Sequence, residues 1–273
     1  MGRSLISLIL AALLLHGCSL LPEQKDKTRN WSAERFYTEA STASADGNYE
    51  TAIEYYEMLE ARYPYGFYAA QAQLDVAYAY YKYDEPDAAI DALERFIRLH
   101  PDHPQTAYAN YMKGIVNLNR NIGLVDRFVT TDASKRDPAS YAQAYKDFMA
   151  VIEKYPDSRY ARDARQRAIY LHNSLAMHEI HIANYYMDRG AYLAAAKRAA
   201  GVIENYQRTP AAKRALEIMV EAYTKLDLPE LAADAERVLA INEAQGNFVR
   251  DADLEEQRGL IRRFWDWTGI DED

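Results

Sequence analysis

Two places in this chain of 273 residues hold side chains whose type and spacing could do chemistry. One is Cys18, the single cysteine, in the stretch LLLHGCSLL at residues 13–21. The other is His178-Glu179-Ile180-His181. A zinc protease helix needs two histidines four apart and a third ligand. These are three apart with no third ligand nearby, so they read as solvated or packing side chains on a helix. His100 and His103 flank Pro101-Asp102 at the end of a helical pattern, where imidazole can meet carbonyl groups. No glycine-rich phosphate loop and no Gly-x-Ser-x-Gly elbow occurs. Paired carboxylates are plentiful, but at helical spacing they read as solvated faces. No catalytic residue, metal or cofactor is expected, and the chain is not read as an enzyme.

The surroundings of Cys18 say what its thiol is for. Arg3 supplies a positive start, and Leu5 to Leu15 (LISLILAALLL) is an apolar run of 11 residues. That is too short to span a bilayer and of the right size for a secretory signal. The run ends Leu15-His16-Gly17-Cys18, which resembles the lipobox of bacterial lipoproteins. That resemblance implies diacylglycerol on the Cys18 thiol, removal of residues 1–17, and acylation of the new amino terminus. Three acyl chains exceed what stable anchoring needs. Ser19 is not the aspartate that typically retains such proteins in the inner membrane, so sorting to the outer membrane is implied. Residues 18–30 then form a lipidated tether, polar from Pro22 to Asn30 (PEQKDKTRN). A net charge of -9 argues against nucleic acid as a partner.

What must position any site is a set of helices. The chain has 23 Tyr against 11 Gly and 9 Pro, with long alanine-rich stretches, so little breaks a helical backbone. Four segments align: DGNYETAIEYYEMLEARYP (46–64), DEPDAAIDALERFIRLHP (84–101), ASYAQAYKDFMAVIEKYP (139–156) and RGAYLAAAKRAAGVIENYQ (189–207). A weaker fifth is DLPELAADAERVLAINEA (227–244). Ala52, Ala89, Ala144, Ala195 and Ala232 are spaced by 37, 55, 51 and 37 residues. The pattern resembles the tetratricopeptide repeat, a helical hairpin of roughly 34 residues. Ile182, Ala183, Tyr186, Gly190, Tyr192 and Ala195 fit its template, as do Val76, Ala77, Tyr80, Ala89 and Pro101. Lys113 at an apolar site and Gln207 in place of Pro depart from it.

The expected fold is therefore all-α, a tetratricopeptide-repeat solenoid of about five helical hairpins. Repeats one to three occupy 31–157, with the excess residues of the 55-residue step in a surface loop at 119–138. Residues 158–246 hold a long helix, free of Gly and Pro from 158 to 187, and repeats four and five. Residues 247–273 form a cap and tail. Its Arg262-Arg263-Phe264-Trp265-Asp266-Trp267 either covers the solenoid end or anchors a partner.

First helices line the concave surface of such a solenoid. The template places Glu34 and Tyr37 there, then Gln71, Leu74, Tyr78, Tyr81 and Lys82, then Tyr108, Tyr111, Ile115 and Leu118. Tyr56 and Tyr80 belong to the core by the same template, and some of the other tyrosines will too. An aromatic face with few charges suits an extended or hairpin peptide with an aromatic end, with Lys82 facing its carboxylate.

Lipobox, tether, irregular repeats, loop and long helix together resemble the BamD family of outer-membrane assembly lipoproteins. QLDVAYAYYKYDEPDAAIDALERFIRLHPDHP (73–104) and ANYYMDRGAYLAAAKRAAGVIENY (183–206) carry the resemblance most specifically. It implies a lipid-anchored subunit on the periplasmic face of the outer membrane. Its partners would be a BamA POTRA domain, accessory Bam lipoproteins, and the C-terminal signal of unfolded outer-membrane proteins. Arg198 matches a basic family position for the BamA contact; on the residues alone it reads equally as a solvated helix-face arginine. An envelope adaptor for cell-wall enzymes or a Tol-type partner would share the lipobox and repeats without needing the aromatic groove.

Overall fold

The structure is a computed structural model that describes residues 27–120, 134 and 137–248. The signal peptide, Cys18, most of the loop at 119–138 and the aromatic tail lie outside the described residues. Among them, ten helices follow one another with no strand. They are α1 (Ala33–Ala45), α2 (Tyr49–Arg62), α3 (Phe67–Lys82), α4 (Pro86–Leu99) and α5 (Thr106–Asn119). After them come α6 (Pro138–Lys154), α7 (Ala161–Asp188), α8 (Tyr192–Asn205), α9 (Ala211–Lys225) and α10 (Pro229–Ala244). The fold is all-α, and successive helices pair as antiparallel hairpins. None of the described helices is long and apolar enough to cross a membrane.

The repeat is written most clearly in its turns. Within four hairpins the chain reverses through one left-handed residue: Gly47 (φ 76°), Asp84 (φ 64°), Gly190 (φ 70°) and Asp227 (φ 56°). The next residue turns back and donates its N–H to the preceding helix, from Asn48 to Ala43, Glu85 to Tyr80, Ala191 to Tyr186 and Leu228 to Tyr223, at 2.8–3.0 Å. Aspartate tolerates this region where most side chains do not, so it replaces glycine at a modest cost. Pro86 and Pro229 then sit in the first turn of the following helix, where no N–H partner is lost.

Four of the second helices, α2, α4, α6 and α8, end alike. Tyr63, His100, Tyr155 and Tyr206 all stop their helix near φ -130°, each N–H bonded to the carbonyl four residues back. Proline follows the first three and Gln207 the last, and the turn at Tyr206 is the same. The missing proline therefore leaves the geometry intact.

Small residues let the helices cross closely. Ala40, Ala52, Ala89, Ala144, Ala183 and Ala195 are fully buried, whereas Ala232 in the weak fifth repeat is only partly so. At the equivalent of Ala183 in the third repeat stands Gly114, against the ring of Phe148. The apolar site beside it is filled by Lys113. Its ammonium lies 2.8 Å from Glu94 and 3.8 Å from Asp147, and Asp147 also accepts from Asn117 at 2.7 Å. A paired charge thus replaces an apolar contact.

The buried side chains form two clusters. One runs from Phe36 to Leu175 and the other from Ala176 to Ile218. The 28-residue helix α7 belongs to both, and Tyr206 packs against both. At the far end α10 buries only Ala235.

Candidate peptide-binding groove and partner face

Helices α1, α3 and α5 bring the first-helix tyrosines together around a carboxylate that the sequence pattern did not single out. Tyr37 Oη donates to Asp75 Oδ2 at 2.8 Å, and Gln71 Nε2 donates to Asp75 Oδ1 at 3.0 Å. Burial raises the Asp75 carboxyl above its usual value, and the two hydrogen bonds pull back only in part. Burial is also the main cause that raises Tyr37, Tyr78 and Tyr108, with the charge of Asp75 adding to Tyr37 and Tyr108. These phenols stay neutral at physiological pH and keep a proton to donate. Tyr68 tilts against Tyr37 with ring centres 5.5 Å apart, and Phe67 meets Tyr68 edge-on at 5.5 Å.

The expected groove residues divide. Tyr78 is partly exposed and lies in the electrostatic reach of Tyr49, Tyr81 and Tyr108. Tyr81 is half-buried, its hydroxyl accepting from Asn119 Nδ2 at 2.7 Å. Lys82 is half-buried in the last turn of α3 with no carboxylate in ion-pair reach among the described residues. Tyr37, Gln71 and Tyr108 are half-buried, so a ligand could touch one side of each.

Leu74 and Tyr111 do not line an open surface. Leu74 is 1% exposed and sits in the core. Tyr111 is 9% exposed, stacked on Tyr160 at 5.2 Å, with its hydroxyl donating to Asp163, which also accepts from Arg167. Ile115 and Leu118 are buried as well. The groove and core faces of a helix differ by only about one residue's turn of 100°, so a template shifted slightly puts core side chains in the groove. Tyr56 is core, as its position implied.

Not every carboxylate lies on a solvated face. Asp75, Asp147 and Asp163 are not solvated: each is at least partly buried and accepts from Tyr, Asn, Gln or Arg. Both histidines of the 178–181 pair reach Ser134, His178 Nδ1 donating to its carbonyl at 2.8 Å and His181 Nε2 lying 2.7 Å from its hydroxyl. His100 and His103 pack on Phe96, and His100 Nε2 lies 2.9 Å from Gln73 Oε1 rather than against a helix-end carbonyl.

Arg198 stands on α8, nearly half exposed, with Nη1 2.9 Å from Glu179 Oε2 of α7. The pair borders an open hollow of about 470 Å³ between α7 and α8, walled also by Tyr186, Lys197, Asn205 and Tyr206. A planar guanidinium at the rim of a hollow with a cation beside it can take a partner carboxylate in place of Glu179.

Residues 29–239 match the sequence profile of YfiO, described as an outer membrane lipoprotein family. That span is most of the chain. This chain belongs to the YfiO family, and its named relatives are BamD proteins. An outer membrane protein assembly factor BamD from Neisseria gonorrhoeae is 44% identical over 225 residues, 82% of this chain and 84% of the relative. One from Vibrio cholerae is 36% identical over 237 residues, 87% of this chain and 97% of the relative. A solved tetratricopeptide repeat protein from Parabacteroides merdae aligns over 86% of both chains at 14% identity and a TM-score of 0.37, a likeness too loose to bear on the fold. Within the YfiO family match fall both the tyrosine groove and Arg198.

Proposed function

We propose that this chain is a non-enzymatic, lipid-anchored subunit of an outer-membrane protein assembly machine, held at the periplasmic face through Cys18. The observation that carries the reading is the row of half-exposed tyrosines around Asp75, on a chain whose relatives are named outer membrane protein assembly factors. In this reading the groove takes the C-terminal signal of an unfolded barrel protein. Tyr37, Tyr78 and Tyr108 offer ring faces to an aromatic residue and hydroxyls to backbone groups, at little loss of side-chain entropy. Lys82, half-buried in the last turn of α3 and without an ion-pair partner among the described residues, meets the terminal carboxylate.

The C-terminal repeats bind a BamA POTRA domain, with accessory Bam lipoproteins as further partners. Arg198 is the contact proposed for BamA. Its pair with Glu179 is exposed and therefore weak, on the order of 0–1 kcal/mol, so a partner carboxylate displaces it at small cost.

The test is a native pull-down from detergent-solubilised outer membranes with the C-terminally tagged chain. The expected result is a stoichiometric large β-barrel protein with POTRA domains, lost with Arg198→Glu. Cell-wall enzymes or Tol components without that barrel would refute the reading in favour of an envelope adaptor. Tyr78→Ala combined with Lys82→Ala is expected to weaken binding of a peptide ending in Phe by about tenfold or more, since one stacked ring and one paired charge are lost. Unchanged peptide affinity would remove the groove from the account.

A further inference from the structure

The most exposed aromatic side chains among the described residues lie outside the groove, in Tyr63-Pro64-Tyr65-Gly66-Phe67 between α2 and α3. Tyr65 is 91% exposed and Phe67 78%. Gly66 has φ 107° with nothing near the place a Cβ would take, so it is there for its backbone conformation, which only glycine adopts easily. Pro64 stiffens the other side of Tyr65. The chain thus holds two large apolar rings in water on a short, restricted turn, which costs solubility and is not explained by packing.

This turn sits where the amino-terminal segment enters the fold. Tyr63 Oη donates to the carbonyl of Trp31 at 2.7 Å, and Arg62 Nη1 donates to that of Thr28 at 2.7 Å. The Arg35 guanidinium lies over the Trp31 ring and that of Arg62 over Phe36. Residues 27–39 and 62–67 carry four cations (Lys27, Arg29, Arg35, Arg62) and two anions (Glu34, Glu39), a net +2 on a chain of net -9. From Cys18 to Lys27 is nine residues, at most about 30 Å when fully extended.

We propose that the Tyr65–Phe67 turn is a second membrane contact, seating its two rings in the headgroup layer of an anionic phospholipid surface. The proposal rests on the reading of Cys18 as a lipid attachment point, because that anchor keeps the turn within reach of the bilayer. Tyrosine favours the membrane–water boundary, with its ring among the lipids and its hydroxyl in water, and Phe67 adds apolar area beside it. The neighbouring cations meet the lipid phosphates. A lipid on a tether fixes distance but leaves the solenoid free to roll. A second contact at the same end stops the roll and fixes which way the groove mouth faces. The groove could claim Phe67 as its own lip, through Tyr68. Tyr65, however, makes no ring contact with the groove tyrosines and stands almost wholly in water.

The mature chain carrying Cys18→Ser is mixed with vesicles of equal phosphatidylglycerol and phosphatidylethanolamine, and with vesicles of phosphatidylcholine alone, and separated by flotation. Floating with the anionic vesicles is expected, with partitioning about tenfold weaker for Tyr65→Ser combined with Phe67→Ser at unchanged far-ultraviolet circular dichroism. Both side chains are exposed, so the fold does not depend on them. No flotation of the unsubstituted chain overturns the proposal, and so does equal flotation of the variant. Loss of Phe-terminated peptide binding without loss of flotation also overturns it, and makes the turn a lip of the groove. The mass of the amino-terminal fragment from native membranes tests the anchor separately. An unmodified Cys18 removes the anchor reading, while an acylated Cys18 on a protein that ignores vesicles removes the turn proposal alone.

Discussion

Gly114→Ala sets two well-measured effects against each other, and the structure decides the sign. In an isolated helix the change would gain about 1 kcal/mol from propensity. Here a Cβ on residue 114 would stand 2.6, 2.7 and 2.8 Å from Cε1, Cδ1 and Cζ of Phe148. Carbon atoms rest at about 3.5–4.0 Å, so helix or ring must give way by about 1 Å. Phe148 is fully buried, so its ring cannot swing out into solvent. Overpacking of this kind costs about 1–3 kcal/mol even after relaxation, so the net expectation is a loss of about 1 kcal/mol. In a chain of this size that lowers Tm by roughly 2–4 °C. Urea denaturation followed by circular dichroism measures it. The same substitution with Phe148→Leu, which removes the obstructing ring, is expected to be neutral or stabilising, and the coupling between the two sites isolates the clash. A higher denaturation midpoint for Gly114→Ala alone would refute the reasoning, because propensity would then have outweighed the crossing. The crossing also matters to the groove: Tyr111 packs on Phe148, so α5 cannot shift without moving Tyr108.

Two further outcomes follow from local features. Gly190→Ala places a Cβ at φ 70° and is expected to lose about 1 kcal/mol, whereas Asp84→Gly, at the matching turn with φ 64°, is expected to gain a fraction of that; denaturation midpoints moving the same way for both would contradict the shared turn. Burial raises the Asp75 carboxyl, so the fold holds that proton to a higher pH than the unfolded chain does, and stability falls as pH rises from the usual value of 3.8 through the raised one. Asp75→Asn deletes the charge and keeps an acceptor for Tyr37. Its stability relative to the native chain should rise across that window and level off below it, and a difference independent of pH would count against a buried charge.

The hairpins were legible because their signals are local. A small residue at the crossing, an aromatic beside it, and Gly or Pro at the turns recur in register. The unbroken α7 was legible for the opposite reason, since no Gly or Pro interrupts 158–187. The tyrosine face proposed as a groove was legible only in outline. Leu74 and Tyr78 are one helical turn apart on α3, yet one is core and the other open, and the local sequence does not separate them. Asp75 escaped notice because a carboxylate in a helix is ordinarily solvated. Nothing in its own neighbourhood reveals that Tyr37, 38 residues earlier, will donate to it. Lys113 looked like a flaw in the repeat, and only the approach of Glu94 and Asp147 makes it part of the packing.

Helix α7 has a mechanical meaning. Its 28 residues make a rod of about 42 Å, and the boundary between the two cores, Leu175 to Ala176, falls inside it. Repeat arrays ordinarily come apart hairpin by hairpin, since each touches only its neighbours. Here neither half can melt first without leaving half a helix unsupported, so the joint where a solenoid would unzip is spliced by a continuous beam. A pull on the last hairpins is carried along that beam to the first ones rather than dissipated in a loop.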